Sequence, residues 1–558
     1  MDGKAEGFPD PTGGPHIGHP NGLGDAELPG FSEKQIIQIR KLTQIGRALS
    51  AERNIERLLE MIVQEAREFA NADGGTLYIM SDDETELQFA IAQTETLLVR
   101  MGGSGGKITW KPVRLQKPDG SPNHEHVSAH VALTGNTVNI PDAYAAQGFD
   151  FRGTRKFDTQ TGFHSKSMLV VPMKNHENDI IGVLQLLNAR NEERSDVIPF
   201  SAECQEMTES LASQAAVALS NNRLIHNLEV LMESFIRAIA TAIDEKSPYT
   251  GGHVRRVADL TMAIARKIND ATDGPYADVR FSDDQMKELQ TAAWLHDVGK
   301  VTTPECVVDK ATKLETIFDR IGLLRLRFEL CGLQAGLGRS NRDADCGSAA
   351  TDNDGGIEPI LREEFRFLSE ANRGSERMSD EMMERIRTIA GRTWKLDGKT
   401  EPLLTPDEIE NLNICQGTLS AKDREIIQNH AKMTYKILSQ LPFPKKMKHV
   451  PDYAAAHHET LNGRGYPRGL DATRLPLQPR ILALADIFEA LTAKDRPYRE
   501  GKTLPEALHI LTMMAKDGQI DPDLFALFQK EGIPLDYVRR ELSPQQRNSS
   551  EIPDPLLP

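Results

Sequence analysis

From Phe31 the apolar residues return at helical spacing, with Ile36, Ile39, Leu42, Ile45 and Leu49 on one stripe and Leu58, Ile62 and Phe69 on a second after Asn54, whose short amide suits an N-cap. Two amphipathic helices are expected, the first over 31–53. Between about 73 and 200 the period shortens to that of strands, in TLYIM after Gly74-Gly75, then LQFAIAQ, KSMLVVPM and DIIGVLQLLN, with turn-forming clusters between them. A helix-flanked antiparallel sheet over 54–206 follows. A long helical run over 207–243 places Leu224, Leu228, Leu231, Phe235, Ala238 and Ala242 at alternating steps of four and three, a coiled-coil rhythm that suits pairing with a second copy. Beyond it the pattern is helical at 253–270, 283–298, 421–441, 450–459, 480–494 and 504–516, with no strand pattern. The fold class is multidomain α+β, with a mixed N-terminal half and an all-α C-terminal half. Residues 1–30 and 531–558 read as tails, the first rich in Gly and Pro, the second in Pro, Ser and Gln from 543.

Length and charge narrow the function classes. A chain of 558 residues with 39% hydrophobic content holds several packed cores, and a net charge of -16 gives no basic footprint for a nucleic-acid polymer. Small anionic ligands remain compatible with it. The cysteines at 204, 306, 331, 346 and 415 lack C-x-x-C spacing, which argues against a disulfide framework or a zinc knuckle. No apolar run approaches eighteen residues, and the first residues lack the order of a signal peptide. A cytoplasmic protein without membrane contact is expected.

The chemistry lies in two strings. WLHDVGK sets His296 beside Asp297, and HHETLNGRGYP sets His457 beside His458. With His253, His430 and Asp486 they form a donor set large enough for two divalent metals, the equipment for cleaving a phosphate ester with bound water. Asp297 is the expected bridge, because its carboxylate can reach both ions while the adjacent imidazole holds one. Imidazole and carboxylate without thiolate favour iron or manganese, leave zinc open and disfavour magnesium. Lys300 falls nearly one helical turn after Asp297, so its ammonium can face the same cleft and offset charge on a phosphate.

HDVGK, then His430 in IIQNHAKM, then HHETLNGRGYP, then ALADIFEALTAKDRPYR stand in the order of the HD-GYP family, which the chain resembles over most of 235–530. The resemblance implies an all-helical HD-GYP phosphohydrolase domain at 244–530. Active members hydrolyse cyclic di-GMP to linear pGpG or on to GMP at a two- or three-metal iron or manganese centre. Carried over by position, the metal ligands are His253, His296, Asp297, His430, His457, His458 and Asp486. Asp244 stands where the family has a glutamate for a third ion. Lys300 takes a catalytic place, Tyr466 that of a nucleotide contact, and Arg496 and Arg499 those of phosphate clamps. Departures from the family touch the substrate side: Asn462 precedes Gly463 where an aspartate is usual, and one extra residue separates Asp486 from Arg496.

HVALTGNTVNIPDAY, KFDTQTGFHSKSMLVVPMKN and IIGVLQLLN resemble the GAF domain of cyclic-nucleotide-regulated phosphodiesterases, which implies a sensor domain open to a small-molecule ligand. The nucleotide-binding signature of that family is degraded here, since Ala189 follows Asn188 and Cys204-Gln205 follows Phe200 at the acidic positions. Turn and core roles for Asn188 and Phe200 are the plainer expectation. Residues 318–415 separate segments that run nearly together in most HD-GYP members. FDRIGLLRLRFEL and LREEFRFLSEA read as helices of a projecting hairpin, joined by the loop GRSNRDADCGSAATDNDGG. The expected protein is a GAF-regulated, dimeric, metal-dependent cyclic di-GMP phosphodiesterase. Its rivals are an enzyme for another cyclic dinucleotide, a nucleotide receptor or scaffold that does not hydrolyse and, last, a nucleotide triphosphohydrolase of the wider HD group.

Overall fold

A computed structural model describes residues 33–191, 193–246, 251–343, 357–374, 377–397, 399–493 and 501–542. The chain divides at Val230/Leu231 into two units, each with its own cores.

In the first unit, helices α1 (Glu33–Ala51) and α2 (Ile55–Phe69) precede strands β1 (Ala72–Met80), β2 (Glu86–Thr94), β3 (Val99–Met101) and β4 (Val113–Arg114). Helix α3 (Val127–Thr134), strand β5 (Val138–Ile140), helix α4 (Arg152–Thr161) and strands β6 (Met168–Lys174), β7 (Ile180–Arg190) and β8 (Val197–Ile198) follow. The antiparallel sheet runs in the order β3-β2-β1-β7-β6-β5, with β4 on β2 and β8 on β7. Both faces are covered, which is why its central strands read as continuous apolar runs. Leu77, Leu169, Val171, Leu184 and Leu186 face α1, α2 and the start of α5 (Ala202–Asp244), while Tyr78, Met168, Val170 and Val183 face α3 and the segments around Val113 and Phe151.

Asn54 caps α2 as expected, accepting from the Arg57 amide at 3.0 Å. Gly74 and Gly75 lie within β1 and are not turn formers. A Cβ at Gly75 would stand 2.8 Å from side-chain carbons of Val63 and Arg67, so the glycine lets α2 pack directly on the strand. The two residues of the degraded signature have structural roles. Asn188, at φ +55, accepts from the Lys166 amide at 2.7 Å and donates to the His164 carbonyl at 2.8 Å, and Phe200 is buried in the core beneath the sheet.

The second unit contains helices α6 (His253–Asp270), α7 (Asp283–Leu295), α8 (Glu305–Val308), α9 (Ile321–Asp343), α10 (Ile357–Asn372), α11 (Asp380–Ala390) and α12 (Pro406–Leu412). Helices α13 (Ala421–Leu438), α14 (Val450–Ala455), α15 (Leu477–Thr492), α16 (Leu504–Lys516), α17 (Pro522–Lys530) and α18 (Ile533–Glu541) complete it. Its main core joins α6, α7 and α15 to α18 through Val257, Leu260, Leu289, Leu484, Phe488, Phe528 and Tyr537. A second core ties the end of α5 to α7, α13 and α14.

Three expectations are corrected. Residues 531–542 are not tail, because α18 buries Tyr537 and Val538 in the main core and Glu541 pairs with Arg255 at 2.7 Å. The C-terminal half is not free of strands, since β9 (Thr393–Leu396) pairs with β10 (Lys399–Pro402) in a hairpin. The insertion is more than a two-helix projection: α9 to α12 and the hairpin enclose a separate apolar core of Leu324, Phe328, Leu361, Leu368, Ile386, Leu403 and Leu412. The far end of its expected loop, 344–356, lies outside the described residues.

Candidate metal centre

Local chain features bring donors from five segments together. His253 opens α6 after Gly252, whose φ of +81 turns the chain into the helix. His296 caps the end of α7, and Asp297 begins a tighter helical turn over Val298–Thr302. That turn lies against α13: a Cβ on Gly299 would fall 1.9 Å from the His430 carbonyl oxygen, so only glycine fits. Thr434, one turn after His430, donates its hydroxyl to the His296 carbonyl at 2.9 Å and accepts from the Gly299 amide at 3.0 Å. His457 and His458 follow α14, and Asp486 projects from the buried middle of α15.

The donors form two groups with Asp297 between them. His430, His457 and His458 hold ring nitrogens within 4.8 Å of one another, and His253, His296 and a carboxylate oxygen of Asp297 form a second such set. One Asp297 oxygen, Oδ1, stands 3.5 Å from His430 Nε2 and 3.9 Å from His457 Nε2. The other, Oδ2, stands 3.6 Å from His253 Nε2 and 3.4 Å from His296 Nε2. Asp486 Oδ1 adds a carboxylate to the second group, 3.3 Å from His253 Nε2 and 3.8 Å from His296 Nε2.

Partners behind the rings fix which nitrogen faces the centre. The Nδ1 atoms of His296, His430 and His457 meet the carbonyls of Ala293, Ile427 and Ala454, each three residues earlier. A carbonyl only accepts, so these Nδ1 atoms carry the proton and each Nε2 offers a lone pair. His253 Nδ1 meets Glu489 Oε2 at 2.5 Å, while Glu489 Oε1 accepts from Arg256 Nε at 2.6 Å. Among the described residues, His296 Nε2 and Asp297 Oδ1 are buried without a hydrogen-bond partner. Buried, convergent, unpaired donor atoms are costly unless something coordinates them, so the residues present fit a pair of divalent ions.

The electrostatics differ between the two groups. Burial holds His430 and His457 below the ordinary imidazole value and brings His458 down to about 4, favouring the neutral form that can offer a lone pair. Burial also opposes charge on Asp297, yet Lys300 and His296 outweigh it and keep the carboxyl well below its usual range. Burial likewise opposes charge on His253 and His296, but Glu489 with Asp297 and Asp486 raises the first, and Asp297 with Asp486 raises the second. The second group is thus richer in negative charge than the first.

The remaining candidates divide. Lys300 Nζ reaches Asp297 Oδ2 at 2.5 Å, on the rim of the centre. The Tyr466 ring lies 4.7 Å from that of His458 and 6.5 Å from that of His430, and burial raises its phenol so that it stays neutral. Asp244 is buried and accepts from the Val254 amide at 3.2 Å, at the start of the helix that carries His253. It belongs to neither three-donor group. Arg496 and Arg499 lie outside the described residues.

Three supporting residues were missed in the sequence. Glu489 stands three positions after Asp486 on α15, and that spacing, which puts both carboxylates on one helix face, was the available signal. Arg256 shares its helix with His253 at the corresponding spacing. Glu459 of the HHE string holds the following loop, accepting from the Arg468 and Leu470 amides at 2.7 and 2.8 Å. Gly465 lets that loop close, since a Cβ there would stand 2.5 Å from the His458 carbonyl oxygen.

Comparison with known proteins adds the lineage. Residues 54–219 match the GAF domain family, and residues 250–332 and 400–524 match two HD domain families, leaving most of the insertion between the matches. The 3'3'-cGAMP-specific phosphodiesterase 3 of Vibrio cholerae is 26% identical over 54% of this chain and 39% of its own length. The 3'3'-cGAMP-specific phosphodiesterase 1 of that organism is 37% identical over 22% of this chain and 27% of its own. A cyclic di-GMP phosphodiesterase of Thermotoga maritima is 27% identical over 33% of this chain and 53% of its own. The chain therefore spans between about a quarter and about half of these relatives. Among the described residues no helix is long and apolar enough to cross a membrane. The chain joins a GAF domain to a helical region with HD domains, and its relatives are phosphodiesterases named for cyclic di-GMP and 3'3'-cGAMP.

Proposed function

We propose that this chain is a metal-dependent phosphodiesterase of cyclic dinucleotides regulated through its GAF domain. The observation that carries the reading is the placement of Asp297, whose two carboxylate oxygens face different groups of imidazole nitrogens at 3.4 to 3.9 Å. His430, His457 and His458 would hold one divalent ion, His253, His296 and Asp486 the other, with Asp297 between them. Iron or manganese suits the donor set. Asp244 is the candidate for a third ion. The chemistry such ions supply when bound is polarisation of a phosphate oxygen and acidification of water.

The side chains do the rest. Lys300 offsets the charge that grows on the phosphate as the P–O bond breaks, Tyr466 offers a neutral ring face to a nucleobase, and the buried walls exclude bulk water. Cyclic di-GMP is the first substrate, giving pGpG or GMP. 3'3'-cGAMP is the second, favoured by the names of two of the relatives. A second copy of the chain would cover the α5 face formed by Leu224, Leu228, Leu231 and Phe235, all exposed within one chain.

The test is turnover of both dinucleotides by anaerobically purified protein loaded with iron or manganese, beside Asp297→Ala. Cleavage by the parent and none by the variant supports the reading, and the ratio of kcat/KM values ranks the substrates. Full metal loading without cleavage of either would favour a receptor.

A further inference from the structure

Beyond the metal ligands, the end of α5 grips the centre at two points. Asp244, its last residue, accepts from the Val254 amide and so fixes the first turn of the helix that begins with His253. Two residues on, Lys246 sends its ammonium to three backbone carbonyls, those of Lys300 at 2.9 Å, Val301 at 2.8 Å and Thr303 at 2.7 Å. An ammonium has three N–H donors, and here each has an acceptor. All three acceptors lie at the C-terminal end of the Val298–Thr302 turn, where carbonyls face outward and a cation is favoured.

This turn is the one that aims Lys300 at Asp297 Oδ2. Its inner side is fixed by Gly299 and Thr434 against α13, whereas Val301 on its outer side is exposed. A short helical turn with one free side can unwind by a residue, which would swing Lys300 away from the carboxylate. Lys246 closes that side.

We infer that Lys246 is a positioning residue which clamps the 298–303 turn and thereby sets the aim of Lys300. Its ammonium bonds to backbone carbonyls rather than to the donor side chains, and it acts through Lys300. Asp244 and Lys246 thus tie the end of α5 both to the helix that carries His253 and to the turn that carries Lys300. The inference rests on the phosphodiesterase reading for its kinetic arm alone.

The experiment uses the full chain loaded with manganese and compares Lys246→Met, Lys246→Arg, Lys300→Met and the double variant Lys246→Met/Lys300→Met. Turnover of cyclic di-GMP and 3'3'-cGAMP is measured with bound manganese and hydrogen exchange at the Lys300 and Thr303 amides, which bond to the Asp297 and Lys300 carbonyls. Lys246→Met should lower kcat about tenfold with KM and manganese content within about twofold, speed exchange at both amides about tenfold, and leave Lys246→Arg near the parent. The double variant should be no slower than Lys300→Met alone, the signature of one residue acting through another. Losses that multiply in the double variant, or unchanged exchange in Lys246→Met, would overturn the inference. If the parent cleaves neither dinucleotide the phosphodiesterase reading falls, while the exchange rates still decide whether Lys246 clamps the turn.

Discussion

Two buried aspartates, one in each unit, show how differently the chain treats a carboxylate removed from water. Asp158, 5% exposed in the GAF domain, is consumed by its neighbours: Oδ2 accepts from the Tyr144 hydroxyl and the Ser165 amide, and Oδ1 from the Ser165 hydroxyl, all at 2.8 Å. Asp297, 3% exposed, has Lys300 on one oxygen and, among the described residues, no hydrogen-bond donor on the other, while four imidazole Nε2 atoms stand within 3.9 Å of the pair. The first carboxylate is satisfied by the fold and ties a loop to a helix. The second is left open toward a common point, which is expensive for folding and useful only when a cation arrives. Satisfaction, more than burial, separates a structural acid from a candidate ligand.

That contrast can be broken by substitution. The largest effect is expected at Asp297→Ala, which should lower turnover on the order of 10³-fold and reduce bound metal, while the GAF melting transition stays put. Metal analysis and calorimetry on the same sample check both halves. Asp158→Ala should do the reverse, costing the first unit about 3 kcal/mol by leaving a buried hydroxyl and amide unpaired, with metal content unchanged. Metal loss in that variant would erase the distinction between the two acids.

Smaller substitutions sharpen it. Glu489→Gln keeps the shape behind His253 but removes the charge that Arg256 pairs with, and should weaken metal binding about 10- to 100-fold without changing the melting point of the first unit. Competition with a chromogenic chelator would read it. Asn188→Ala, at a position the degraded nucleotide signature would have made functional, should cost only about 1 kcal/mol through two lost bonds to the 164–166 loop. Chemical denaturation of the first unit measures this, and any change in metal affinity would count against a purely structural role.

How much of this was legible in the sequence follows from where each signal lies. Seven candidate donors could be named because their strings are unusual and arrive in a fixed order, and the structure gathers all seven from five segments. Glu489 was not, since a glutamate on an apolar helix carries no motif, and only its spacing from Asp486 marks it. Lys246 acts on backbone carbonyls, which have no sequence signature at all. In the fold, the central strands were found by their apolar runs, whereas the β9–β10 hairpin was missed although Asp397-Gly398 is a turn signal and Asp397 takes φ +48. Its short strands Thr-Trp-Lys-Leu and Lys-Thr-Glu-Pro are largely exposed and lack a buried alternation to reveal them. Helix α18 was lost for a related reason, being nine residues long and beginning Ile-Pro.

The most direct test of the central claim is a count of ions per chain after anaerobic equilibration with manganese, in the parent and in Asp297→Ala. If the two oxygens of Asp297 join two imidazole groups into one centre, the parent should hold about two ions and show the weakened paramagnetic signal of a coupled pair, and the variant should lose that coupling. A parent that binds a single ion, or a coupled pair that survives Asp297→Ala, would contradict it.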